Sequence, residues 1–308
     1  AHAGYLASLR GTGDLFPATE LYAKLVSAHP DSVELKAFQA AALPEPENAA
    51  ESLRLLSKEH PDNVRVFVEL GRAMLASDDP KAAESALKTA LKLAKKRFRA
   101  KDDLVRGRAY LLAGLSVGLR GQWHWDQGEH GKALRYGRKA RKYFEKCLKY
   151  EPGNPDAALG KWTIYSLWEQ WEEAEVTVEP LTASVDPARK WMGNVYLANG
   201  QLYKGLLEEA LALQEKAVVA FPRPGPFSAI ARAYVAEILL IKGEPKAALG
   251  MATKALEESD GTYPQQYNLR IAALAEAALG RRNNAESFLA EYRRRAESLT
   301  PVLSLIHI

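Results

Sequence analysis

"FVELGRAMLASDDPKAAESALKTAL" occupies residues 67–91. Its apolar residues recur at three- and four-residue spacings on both sides of one polar break, "SDDP" at 77–80. That periodicity puts an apolar stripe on each of two helices. Aspartate and proline at the break end the first helix and open the second, because proline in a first helical turn loses no hydrogen bond. The small residues Gly71 and Ala83 let the two helices approach closely. The stretch therefore reads as two helices folded back on each other.

The pattern recurs along the chain. A small residue followed four and seven positions later by larger or apolar ones appears as Ala83, Leu87 and Ala90 and as Ala248, Ala252 and Ala255. It appears again as Ala285, Leu289 and Tyr292, as Ala210, Gln214 and Ala217, and as Ala140, Phe144 and Cys147. Weaker copies start at Ala18, Ala49 and Ala174. The eight leading alanines stand 31, 34, 57, 34, 36, 38 and 37 residues apart. Copies end on "AHPDS" (28–32), "EHPDN" (59–63), "YEPGN" (150–154) and "AFPRP" (220–224), where proline stops one helix and starts the next turn. A recurring period of this size marks stacked structural repeats.

The pattern resembles the tetratricopeptide repeat, a helix–turn–helix unit of about 34 residues. In the third unit Phe67, Leu70, Gly71, Met74, Ala83, Leu87 and Ala90 fall on the family's signature positions in order. The resemblance covers nearly all of residues 1–300 as a degenerate array. It implies an all-α, right-handed α-solenoid of about eight antiparallel helix pairs, forming one domain over 1–302. It also implies a concave groove lined by the first helix of each pair. Some members grip a C-terminal carboxylate with lysine and asparagine on successive first helices; Val68 and Arg72 occupy those positions here, so that activity is not expected.

The spacing of 57 marks an enlarged fourth pair near 103–150, with lengthened helices, a longer connection, or both. The same region is basic: residues 95–149 hold sixteen Lys and Arg against five Asp and Glu, while the whole chain is only +4. Lys132, Arg135, Lys139, Lys142, Lys146 and Lys149 follow 3, 4, 3, 4, 3 spacing, which lines six cations along one helix face. Such a row is a solvated outer face or a contact for an anionic partner. Arg97, Arg99, Arg106 and Arg108 are candidates to extend it. Tyr136, Tyr143 and Phe144 fall on the opposite, apolar side, which argues against base stacking and so against nucleic acid.

"RGQWHWDQGEHGK" at 120–132 invites a chemical reading. His124 and His130 are six apart, which suits no metal-binding helix, and HExxH is absent. The better expectation is a turn served by Gly121, Gly128 and Gly131, with Trp123 and Trp125 anchoring it on neighbouring helices. Cys147 is the one cysteine; on an apolar stripe it reads as a small hydrophobe. No phosphate loop or nucleophile elbow occurs, and no cofactor or metal is expected.

The candidate groove comprises Trp162, Tyr165, Trp191 and Tyr196 on first helices, with Arg65 and Arg72 as polar contacts. The function expected is a non-enzymatic adaptor that binds a protein or peptide segment, acidic where it meets the basic row. One alternative is a small-ligand-binding subunit of an envelope transport system, favoured by an enclosed aromatic cavity. Another is the regulatory segment of a longer protein. No apolar run is long enough to span a membrane; composition leaves cytoplasm and envelope both open. Residues 303–308, "LSLIHI", match a reading frame of a sequencing-library adapter and are expected to be a non-native tail.

Overall fold

A computed structural model describes residues 15–97, 103–221, 225–258 and 263–298. The tail at 303–308 and both prolines of "AFPRP" lie outside them. The described residues form fifteen α-helices and no strand. The chain divides into two compact units, 1–164 and 165–308.

In the first unit a leading helix, α1 (Phe16–Ala28), is followed by the pairs α2 (Val33–Ala41)/α3 (Pro46–Glu59), α4 (Val64–Ala76)/α5 (Pro80–Arg97) and α6 (Asp103–Asp126)/α7 (His130–Tyr150). Each helix packs on the next in sequence, and first helices also touch across pairs, α2 on α4 and α4 on α6. Helix α8 (Pro155–Ser166) carries the unit boundary. The second unit continues with α9 (Trp171–Thr182), then α10 (Pro187–Tyr203)/α11 (Leu207–Ala220), α12 (Pro226–Ile241)/α13 (Pro245–Glu257) and α14 (Tyr263–Ala278)/α15 (Arg282–Ser298). It shows the same order of contacts, with α12 on α14.

The leading alanines explain the packing. Ala18, Ala49, Ala83, Ala140, Ala174, Ala210, Ala248 and Ala285 are all buried. In the third pair Leu87 and Ala90 complete the stripe at no exposure, and Leu87 fills the notch at Gly71, where a Cβ would sit 2.5 Å from Leu87 Cγ. Gly193 is stricter, since a Cβ there would meet the backbone nitrogen of Thr182 at 2.7 Å. Between pairs, the "HPD" and "EPG" turns place a capping residue at the next helix. Asn63 Oδ1 accepts from the amides of Arg65 and Val66, Ser32 Oγ from Leu35, and Asn154 Oδ1 from Ala157.

In five of these pairs, and between α8 and α9, the earlier helix ends in one and the same turn. A residue with positive φ, at Asp78, Gly128, Glu169, Gly205, Gly243 or Gly280, donates its amide three residues back. The next residue donates five back, as in Asp79 to Met74 at 2.8 Å and Glu244 to Leu239 at 2.8 Å. This is the Schellman motif, which satisfies the last carbonyls of the helix. The leading alanine stands five residues after the turn residue in every case but one. After Gly128 the fifth residue is Ala133, also buried. The register of the fourth pair therefore belongs to Ala133, and the leading position read at Ala140 is two turns too late. Counted from Ala133, the spacings on either side become 50 and 41. The excess lies in long helices: α6 has 24 residues and α7 has 21, joined by three residues.

Candidate functional site

The turns give a register for the first-helix face. Six residues before each turn residue stand Arg72, Gln122, Thr163, Asn199, Glu237 and Leu274. In the second unit two of these, Asn199 on α10 and Glu237 on α12, line one cavity of about 710 Å³. Leu202, Tyr203, Tyr234, Ile241 and Tyr267 share it, with Gly205 and Leu207 at the turn. Three consecutive first helices, α10, α12 and α14, thus supply its walls. Tyr203 and Ile241 are 70% and 56% exposed, so the mouth is wide. Tyr234 meets Tyr267 edge-on at 5.6 Å, and Tyr203 stacks on Trp171 at 5.1 Å. The hydroxyl of Tyr267 donates to Glu237 Oε2 at 2.5 Å. Burial first, then the Glu237 hydrogen bond and charge, push the Tyr267 phenol far above its ordinary range. The phenol therefore stays protonated and keeps donating. Arg270 lies over the Tyr267 ring at 4.8 Å and faces Glu237 Oε1 at 3.9 Å.

In the first unit the first-helix face is cationic. Arg65 and Arg72 on α4 flank the fully buried Glu69, and Arg72 Nη1 lies 3.3 Å from Glu69 Oε2. Arg108 on α6 joins them. Burial and the charges of Arg72 and Arg65 lower its guanidinium to about 10, against the pull of Glu69. Among the described residues neither Glu69 oxygen, nor Arg65 Nε, nor either terminal nitrogen of Arg72 makes a hydrogen bond. Arg65 also covers the Phe38 ring at 5.4 Å.

The row on α7 differs from a uniform stripe. Lys132, Arg135, Lys142, Lys146 and Lys149 are exposed, as is Arg138. Lys139 is turned inward, where its ammonium donates to Glu84 of α5. Lys146 leans over the Tyr110 ring at 5.5 Å. Arg106 donates to the Ala94 carbonyl at 3.1 Å, and Arg108 belongs to the Glu69 cluster, so neither extends the row. Arg99 and the side chain of Arg97 lie outside the described residues.

A histidine joins the expected tryptophan anchors. Trp123 is 58% exposed, and Trp125 meets His130 of α7 edge-on at 4.5 Å. His124 stacks on Tyr136 at 5.1 Å and pairs with Glu129, which also holds the end of α6 on α7. Of the glycines, Gly128 makes the turn, whereas Gly121 and Gly131 lie inside α6 and α7. Cys147 is fully buried, and burial pushes its thiol up to about 12, leaving it protonated and inert.

Of the groove residues read from sequence, Trp162 and Trp191 are buried. Trp191 packs with Val195, Ala217 and Ala231 in the core of the second unit, and Tyr196 packs half-buried against that cluster. Tyr165 is half-buried, edge-on to Trp168 at 6.3 Å. Aromatic character marks these residues, but their helix faces point into packing. The repeat pattern does not mark Tyr203, Tyr234, Tyr267 or Glu237 as a group. The signal that finds two of the wall positions is the offset from the turn residue.

No family model and no curated protein matches the chain. Solved structures do. A tetratricopeptide repeat protein from Parabacteroides merdae superposes with a TM-score of 0.54 at 16% identity, over 89% of this chain and 97% of that one. Cut9, in the APC/C hetero-tetramer Cut9–Hcn1, gives 0.57 at 14% identity over 89% of this chain. IFIT1 with m7Gppp-AAAA gives 0.61 at 17% identity over 97% of this chain. The fold is tetratricopeptide-like. The chain spans about half of the Cut9 chain (48%) and 63% of the IFIT1 chain. At these identities the likeness carries the architecture alone.

Proposed function

We propose that this chain is an interaction module that binds a peptide or protein segment along its first-helix faces. The observation that carries the reading is the cavity on α10, α12 and α14. Three successive first helices combine rings, a carboxamide and a carboxylate in one opening of about 710 Å³. Its two highly exposed wall residues, Tyr203 and Ile241, favour a chain laid across it over a small molecule enclosed within it.

In the first unit the contacts are cationic. On the first-helix face Arg65 and Arg72 flank Glu69, with buried nitrogens that make no hydrogen bond among the described residues, and on the second helix α7 Lys132, Arg135, Lys142, Lys146 and Lys149 supply an exposed row. Both suit acidic residues of a partner. The role of Arg65 and Arg72 as groove contacts stands in this proposal, while Trp162 and Trp191 enter it as packing.

The test is a displayed random-peptide library panned against the chain. An Ile241→Trp variant, which fills the mouth from an exposed position, serves as counter-screen. Sequences enriched on the parent and lost on the variant support the reading. No enrichment, or equal enrichment on both, overturns it.

A further inference from the structure

The nine residues that line the cavity of the second unit include one formal charge, and it is negative: Glu237. The rest is aromatic, aliphatic and amide surface. Tyrosine faces carry negative potential, and rings set around a site attract an organic cation more strongly than they attract neutral groups. A carboxylate at the same site adds to that preference.

The geometry of Glu237 leaves it able to serve. Its Oε2 accepts from the Tyr267 hydroxyl, which fixes the carboxylate in place. Its Oε1 makes a loose ion pair with Arg270 at 3.9 Å, beyond hydrogen-bond distance, which leaves room for a second, closer cation. Arg270 is not among the lining residues, and its guanidinium lies over the Tyr267 ring at 4.8 Å. The protein thus already sets one guanidinium against this ring and this carboxylate. The same carboxylate and ring line the cavity, together with Tyr234 and Tyr203.

We propose that the cavity between α10, α12 and α14 takes a cationic side chain, lysine or arginine, of a bound peptide segment, held on Tyr203, Tyr234 and Tyr267 with Glu237 as counter-ion. The proposal rests on the reading of this face as a peptide-binding surface. It goes further by naming the residue class that the surface selects.

The experiment uses the whole chain with ring-labelled tyrosine and nuclear magnetic resonance, which detects weak binding. The probes are capped pentapeptides, Ala-Ala-X-Ala-Ala, with X as lysine, arginine, norleucine or glutamate. The lysine and arginine peptides are expected to shift the Tyr203, Tyr234 and Tyr267 resonances, with norleucine and glutamate at least about tenfold weaker. Glu237→Gln, which keeps an acceptor for Tyr267, should weaken the cationic peptides about tenfold. Tyr203→Leu, at an exposed position, should weaken them severalfold, whereas Tyr234→Phe, which keeps its ring, should not. Circular dichroism on each variant shows that the fold is kept.

Norleucine binding as tightly as lysine would overturn the inference, and so would a Glu237→Gln variant of unchanged affinity. The panned library separates the two levels. Enriched sequences without lysine or arginine retain the peptide-binding reading and remove the cation. No enriched sequence, with no tyrosine shift by any pentapeptide, removes both.

Discussion

The ammonium of Lys139 on α7 donates to the buried carboxylate of Glu84 on α5, which lies 55 residues earlier. Arg120 of α6 and Lys88 of α5 converge on the same carboxylate, at 2.5 and 2.8 Å. One buried glutamate therefore ties together three consecutive helices across the junction of two pairs. Removing a partner from a buried charge costs more than the pair itself contributes. Lys139→Ala is expected to lower stability by about 1–3 kcal/mol, despite the partial exposure of its side chain. Lys142→Ala, three residues along the same row, should stay within about 0.5 kcal/mol of the parent. Urea unfolding of both variants checks the contrast; equal midpoints would show that Glu84 does not depend on Lys139.

The same carboxylate makes acid sensitivity predictable. Burial alone would raise its pKa, but hydrogen bonds and charges from Lys139 and Lys88 outweigh burial and hold it at about 2, below the ordinary 4.5. A depressed folded-state pKa means stability that is fully present above about 4.5 and lost as pH falls toward 2. Solvent screening around the two lysines reduces the effect to about 1–2 kcal/mol. Glu84→Gln should flatten the stability profile of the first unit between those pH values, at a lower plateau near neutrality. Chemical unfolding at a series of pH values reads the slope. An unchanged slope would place the acid response elsewhere.

The repeated turn yields a third prediction. Four of the six positive-φ turn residues are glycine, but Asp78 and Glu169 adopt φ of +56° with a side chain in place. A left-handed conformation is strained for a residue with a Cβ and free for glycine. Glu169→Gly is expected to stabilise the second unit by about 0.5–1 kcal/mol, and Gly205→Ala to destabilise it by about 1 kcal/mol. Thermal melts of both variants test the pair together; shifts of the same sign would contradict the shared turn.

The repeat was legible because alanine, leucine and glycine at three- and four-residue spacings mark a helix face locally. The one register error has a physical cause. Ala133 and Ala140 are seven residues apart, about two turns, so both lie on one stripe and both are buried. An apolar pattern alone cannot tell them apart; the turn at Gly128 can. The cavity was less legible for a related reason. Tyr203, Tyr234 and Tyr267 stand two, nine and thirteen residues before their turns, so no single repeat position announces them. They meet only once three helices are stacked. Lys139 shows the same limit, since spacing places it on a face but does not say that Glu84 waits on the adjoining pair.

The revised row on α7 alters which substitutions test it. Reversing Lys139 would disturb Glu84 and confound binding with stability. The informative variant reverses Arg135, Lys142 and Lys149, all exposed and with no acidic partner among the described residues within ion-pair distance. If the row contacts acidic residues of a partner, a poly-glutamate probe should bind the parent with an affinity that falls as salt rises. The triple reversal to glutamate should weaken it by tenfold or more while helicity is retained. A row that is only solvated surface predicts equal and negligible binding in both. Fluorescence anisotropy of a labelled glutamate decamer at low and physiological salt distinguishes the two. Arg65→Ala, which leaves the Arg72–Glu69 pair in place, asks whether any remaining affinity belongs to the cluster around Glu69.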